Sequence, residues 1–152
     1  MKVIKQKLWY IVEQKINGIF TAHAYHAMIK SRRKIMMIEP KKFVINKDVT
    51  ISDLVKNGFV KYEYMYVYKK CLYYHDGTKN PYVMLKMIAY LEGEPYLMYS
   101  ITCDDGCCYP AFYDPTIRHN NVVYEKVVNT YNNIIDRFVK SNILKIRRDE
   151  NV

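Results

Sequence analysis

Residues 61–70 read KYEYMYVYKK, with a tyrosine at every second position from Tyr62 to Tyr68. A period of two belongs to a β-strand, whose side chains point alternately to opposite faces; a helix would scatter the four phenols around its circumference. The alternation predicts one strand with Tyr62, Tyr64, Tyr66 and Tyr68 on one side and Lys61, Glu63, Met65 and Val67 on the other.

Turn signals follow at strand spacing: Asp76-Gly77, Glu92-Gly93 ahead of Glu94-Pro95, and Asp104-Asp105-Gly106. The segments between and after them, YVMLKMIAYL, YLMYSITC and CCYPAFY, are rich in the aromatic and branched residues that suit a pleated surface. Together they predict an antiparallel meander of four to six strands. Within it, Val83, Leu85, Met87, Ala89 and Leu91 make one wholly apolar face, and Tyr82, Met84, Lys86, Ile88 and Tyr90 a mixed one.

The remaining elements are helical or short. Val123, Val127, Tyr131, Ile134 and Phe138 recur at spacings of three and four, opposite Lys126, Asn129, Asn133, Arg137 and Lys140, which predicts an amphipathic helix over about 121–141 lying across the sheet. Thr50 with Asp53 three residues on has the form of a capping box, and Gly58 stands where the short helix it opens would end. KKFVIN after Pro40 reads as a short strand. Before it, TAHAYHAMIKSRRKI reads as a helix over about 22–33, and the apolar run ahead of Asn17-Gly18 as a strand, although Leu8, Ile11, Val12 and Ile16 also fit a helical stripe. The fold class predicted is α+β: the meander with the C-terminal helix and one N-terminal helix on one face. Residues 1–145 form a single domain in this reading, and 146–152 a charged tail.

The net charge of +9 is unevenly spread. Residues 1–48 carry 11 Lys/Arg against 3 Asp/Glu, residues 49–119 carry 7 against 8, and residues 120–152 carry 6 against 4. The excess in the first third, densest at Lys30, Arg32, Arg33 and Lys34 and followed by Lys41 and Lys42, suits phosphate contacts or an acidic protein partner; the competing reading is a solvated basic face. The longest early apolar run, Leu8–Val12, is too short for a secretory core, and none approaches the roughly 18 residues of a membrane span. The expectation is a protein of the cytoplasm, away from membranes, in a reducing compartment where four cysteines stay as thiols. Tyr, Lys, Ile and Asn outweigh Gly, Ala, Arg and Pro, as in an A+T-rich gene, and a virus or phage is one such source.

Three of the four cysteines crowd ITCDDGCCY. Cys71 with His75, and Cys103 with Cys107, offer four soft ligands near glycine turns, enough for a tetrahedral zinc site. The spacing lacks a C-x2-C knuckle, so buried thiols flanking a hairpin turn are the favoured account, with a disulfide across that hairpin a further option. Cys107 or Cys108 activated by His119 and Asp114 is a formal nucleophile, and His23 with His26 a formal metal pair lacking a third ligand. No glycine-rich phosphate loop, H-E-x-x-H or G-x-S-x-G occurs.

These readings converge on a non-enzymatic interaction protein without a cofactor. A sheet with large side chains on both faces and too few helices to cover them needs a partner, a different protein or a second copy. Tyr62, Tyr64, Tyr66, Tyr68, Tyr82 and Tyr90 are the candidate interface, for a viral host-factor inhibitor or a virion assembly component. Nonspecific nucleic-acid binding through the basic N-terminal region is the alternative.

Overall fold

Four antiparallel strands in the order β2 (Val60–Tyr62), β3 (Met65–Tyr74), β4 (Pro81–Tyr90) and β5 (Tyr96–Cys103) form the meander that the turn signals predict. The computed structural model describes residues 38–118 and 121–148, all within one unit, Ile38–Val152. The helix expected over 22–33 and the strand expected before Asn17-Gly18 lie outside the described residues. A second, two-stranded sheet pairs β1 (Phe43–Ile45) with β6 (Leu144–Ile146), so pairing reaches into the segment expected to be a tail. Arg147 extends it by donating its backbone N–H to the Lys42 carbonyl at 3.0 Å.

Helix α1 (Ile51–Lys56) starts and stops where its sequence says. The Asp53 N–H donates to Thr50 Oγ1 at 3.2 Å while the Thr50 N–H donates to Asp53 Oδ2 at 3.0 Å, a reciprocal capping box. At the other end Gly58 takes φ +92°, and the N–H groups of Gly58 and Phe59 return to the carbonyls of Val55 and Leu54. That is a Schellman motif, and its two flanking apolar residues, Leu54 and Phe59, are both buried in the core.

One expected strand is in fact two. The chain reverses at Glu63-Tyr64, with Glu63 at φ +48°, and Tyr62 pairs with Met65. Paired residues share a face, so a two-residue turn inverts parity: even-numbered side chains change sides between Tyr62 and Tyr66. The four phenols are therefore not on one face. Tyr66 and Tyr68 point into the core at 5% and 6% exposure, whereas Tyr62 and Tyr64 are exposed.

The apolar face of β4 is as expected, with Val83, Leu85, Met87 and Ala89 fully buried. Helix α3 (Val122–Lys140) covers this inner face, capped by Asn121, whose Oδ1 accepts from the Tyr124 N–H at 2.9 Å. Val127, Tyr131, Ile134 and Phe138 are buried as the periodicity predicts, joined by Tyr124, Val128 and Ile135. The Phe138 ring lies 5.0 Å from Tyr68 and 5.5 Å from Phe59. Asn142, at φ +62°, ends α3 in a second Schellman motif, and the buried Asn46 side chain donates to its carbonyl at 2.9 Å.

The segment CCYPAFY is not a strand. After a single bridge between Thr102 and Cys108, Pro110 opens a short helix α2 (Pro110–Tyr113), followed by a 3-10 turn over Pro115–Ile117. Proline at the first helical position lacks only an N–H that would be unpaired anyway. The Tyr113 hydroxyl accepts the Ile101 N–H at 3.0 Å, so the helix seals part of the β5 edge where a strand was expected.

Candidate interaction surface on the outer face of the sheet

Strand register arranges the outer face in rungs. Tyr62, Met65, Tyr90 and Tyr96 are aligned across the four strands, and the next rung is Val60, Val67, Ile88 and Met98. Two turns, at Glu63-Tyr64 and at 91–95, bring the ends of the first rung together; Gly93 supplies the positive φ of the second. The Tyr64 ring leans over from its turn, so Tyr64, Tyr90 and Tyr96 stack in series: 6.2 Å and 26° for the first pair, 5.0 Å and 8° for the second. Val60, Tyr62, Tyr64, Tyr96 and Met98 are between 44% and 56% exposed, while Val67 is buried and Met65, Ile88 and Tyr90 are half-buried.

Beyond the apolar rungs the face turns basic. Lys69 of β3 stands directly opposite Lys86 of β4, with Ser100 of β5 completing the rung, and both lysines are exposed. Among the described residues neither has a carboxylate partner, unlike Lys41 with Asp136 and Lys47 with Glu94. Cys71, Met84 and Thr102 form the last rung.

The predicted interface divides. Tyr62, Tyr64 and Tyr90 belong to the stacked end of the sheet, with Tyr96 and Met98 added by register. Tyr66 and Tyr68 are a correction: they pack under α3, where the Tyr68 hydroxyl accepts from Arg137 at 2.9 Å. Tyr82 is eight residues from Tyr90 along β4, about 26 Å away at strand rise, and sits 4.7 Å from the His75 ring. It is not part of the same patch.

Of the predicted basic cluster, Lys41 and Lys42 are among the described residues. Lys30, Arg32, Arg33 and Lys34 lie outside the described residues, as do His23, His26 and His119. Lys41 is built into the fold: its ammonium is 2.5 Å from Asp136, its N–H donates to Asn132, and its carbonyl accepts from Tyr131. Lys42 holds β6 through its carbonyl.

Cys71, His75, Cys103 and Cys107 do reach one end of the sheet, since β3 ends, β4 begins and β5 ends there. Their bonds go elsewhere. The Cys71 thiol donates to the Tyr73 carbonyl at 3.2 Å and His75 Nε2 meets Asp104 Oδ2 at 2.8 Å, and among the described residues no three His, Cys, Asp or Glu side chains are grouped as metal ligands. The Asp104-Asp105-Gly106 turn is as expected, with the Cys103 N–H donating to the Cys107 carbonyl at 2.8 Å and Gly106 at φ +83°. The imidazole hydrogen bond to Asp104 holds that carboxyl below the usual range. The thiols are less buried than expected: Cys107 and Cys108, the candidate nucleophiles, are exposed, and Cys71 and Cys103 are half-buried; burial, helped by Asp105 and Asp104, pushes the Cys103 thiol up. Asp114, the third member of the nucleophile arrangement, caps the 3-10 turn by accepting from Thr116.

Arg118 escaped the sequence reading. It is 7% exposed, and its guanidinium donates to the Ala111 and Phe112 carbonyls at 2.7 and 2.6 Å and to Glu39 at 2.6 Å, with its centre 4.9 Å from the Tyr124 ring. It satisfies the carbonyls at the end of α2 and ties them to Glu39 and to the Tyr124 ring of α3, so its role is structural; no local motif announces it.

No protein-family model matches the chain, and no curated protein matches it in sequence. Among solved structures, a DUF1831 family protein from Lactobacillus plantarum is similar in shape, with a TM-score of 0.57 and 15% identity over 73% of this chain and 94% of that one. At that identity the likeness is one of α+β fold, and fold alone carries no activity.

Proposed function

We propose that the protein is a non-enzymatic interaction module that binds a protein partner through the stacked end of its sheet, at Val60, Tyr62, Tyr64, Tyr90, Tyr96 and Met98. The observation that carries this reading is the Tyr64–Tyr90–Tyr96 stack flanked by exposed apolar side chains. Tyrosine gives a large, stiff, amphipathic contact at low entropic cost, and such residues dominate binding energy at protein interfaces. Tyr90 lies between the other two rings and its hydroxyl donates to Met65 Sδ at 3.9 Å, so the open ring faces of the stack are the outer ones of Tyr64 and Tyr96. Nucleobases need open ring faces, and the central ring has none, which favours protein over single-stranded nucleic acid here.

A host-factor inhibitor or a virion assembly component of a virus or phage both fit this surface. The four free thiols suit a reducing cytoplasm. Among the described residues no helix is long and apolar enough to cross a membrane. The alternative of nonspecific nucleic-acid binding keeps the net charge of +9 as its support.

The test compares the tagged wild-type chain with a Tyr96→Ser/Met98→Ser variant, both expressed in the native host. A partner recovered in fixed ratio by the wild type and lost by an equally stable variant is the expected result. Recovery of the same proteins by both overturns the reading. Sizing of the complex separates a discrete inhibitor complex from a subunit that polymerises.

A further inference from the structure

We propose that the occupant of the outer face is an acidic, extended protein segment, with apolar side chains against Val60, Ile88 and Met98 and a carboxylate between Lys69 and Lys86. This rests on the reading that the face binds protein, and adds the chemistry of what it binds.

The argument starts from the lysine rung. Like charges directly opposite each other on neighbouring strands destabilise a sheet. Lys69 and Lys86 are so placed in its two long central strands, both exposed and neither with a carboxylate partner among the described residues. The surrounding segment, 49–119, carries 7 Lys/Arg against 8 Asp/Glu, so two adjacent cations on one face are not a by-product of a generally basic sheet. An anion shared by both ammonium groups converts that repulsion into attraction, and complementarity of this kind selects a partner and its register.

Spacing narrows the anion. The lysine rung is two residues from the Val67–Ile88–Met98 rung, roughly 6.7 Å at strand rise. An extended polypeptide repeats its same-side side chains at that distance, so an apolar residue followed two positions later by Asp or Glu meets both rungs at once. A second copy of this chain, face to face, is a poor occupant: the outer-face rungs contain no Asp or Glu, so the same face of another copy brings more lysines and no carboxylate to receive them. Nucleic acid offers phosphates to the lysines, but the rung next to them, Val60, Val67, Ile88 and Met98, is aliphatic and gives its bases no ring to stack on.

The experiment titrates the full-length, isotope-labelled chain with a random glutamate–tyrosine copolymer, and separately with polyglutamate and oligo(dT), following backbone amide shifts. The expected result is shifts at Lys69, Lys86, Ile88 and Met98 with the copolymer. Affinity should fall at least tenfold in Lys69→Gln/Lys86→Gln and in Met98→Ser, with thermal stability checked for each, and be unchanged in Lys30→Ala/Arg32→Ala/Arg33→Ala. Binding lost in Met98→Ser but kept in the double lysine variant overturns the acidic occupant and leaves the protein-binding reading standing. Binding insensitive to both, or no shift on this face, overturns both. Oligo(dT) shifting these amides more tightly than the copolymer replaces the protein segment with nucleic acid.

Discussion

The two faces of β4 are made by alternate residues of one strand and obey different rules. On the inner face Val83, Leu85, Met87 and Ala89 are uniformly apolar and fully buried under α3. On the outer face Met84, Ile88 and Tyr90 are half-buried and Lys86 is exposed opposite another lysine. The inner face is explained by folding alone, because each of its side chains is withdrawn from water within the chain. The outer face is not: its rungs combine exposed apolar groups with two lysines that have no carboxylate partner among the described residues, and neither feature stabilises an isolated sheet. That contrast is the reason for proposing a partner on one side of the strand.

The largest expected effect tests the contrast directly. Leu85→Ala should cost about 2–5 kcal/mol in urea unfolding, through lost transfer energy and a cavity, whereas Ile88→Ala on the same strand should cost about 1 kcal/mol or less. Equal costs would mean that the outer face is a second core, and would remove the reason for a partner.

Alkaline pH sharpens the same comparison. The layer over the inner face holds phenols that burial pushes up: Tyr109 to about 12, with Tyr113, Tyr124 and Tyr131 moved in the same direction. A phenol ionises more easily in the unfolded chain, near pH 10, than in this core. Its contribution is therefore complete below pH 10 and is lost as pH rises toward the folded value. Unfolding monitored by tyrosinate absorbance should steepen above about pH 10, and Tyr109→Phe should reduce that slope. An unchanged slope would place the hydroxyl in water rather than under the helix.

Arg118→Met should cost about 1–3 kcal/mol, because it leaves the buried carbonyls of Ala111 and Phe112 without donors. Arg118→Lys should recover little, since a single ammonium cannot replace a planar fork directed at three acceptors. Measured by urea unfolding, a neutral result for either would separate α2 from the layer that closes the inner face.

Much of this fold was legible because local signals agreed with tertiary structure. Asn121, the apolar stripe and Ser141 bound α3 as predicted; Thr50, Asp53 and Gly58 bound α1; the period-two residues of β4 sort themselves onto two faces. The misses have local causes. The Glu63-Tyr64 reversal carries neither glycine nor asparagine, so an unbroken alternation concealed a turn and transferred Tyr66 and Tyr68 from interface to core. Pro110 sits in a segment of strand-like composition yet opens a helix. Of the candidate surface, Tyr62, Tyr64 and Tyr90 were visible in the sequence, while Tyr96, Met98 and the lysine rung were not. Those depend on which residues of separate strands stand opposite each other, and composition does not encode register.

The lysine rung yields the smallest energetic prediction and the most discriminating one. If Lys69 and Lys86 repel in the free protein, Lys86→Glu should create an opposite-charge pair across the strands and raise stability by about 0.2–1 kcal/mol at low salt, with the gain shrinking as salt screens exposed charges. The same substitution should abolish binding of the glutamate–tyrosine copolymer, because one of the two cations that receive its carboxylates has changed sign. Stability and binding then move in opposite directions from a single residue, as expected where a binding site is maintained at some expense to the fold. A variant that is less stable and still binds would mean that the lysines already have an anionic neighbour within the chain, and the outer face would lose its claim to be the unsatisfied half of the sheet.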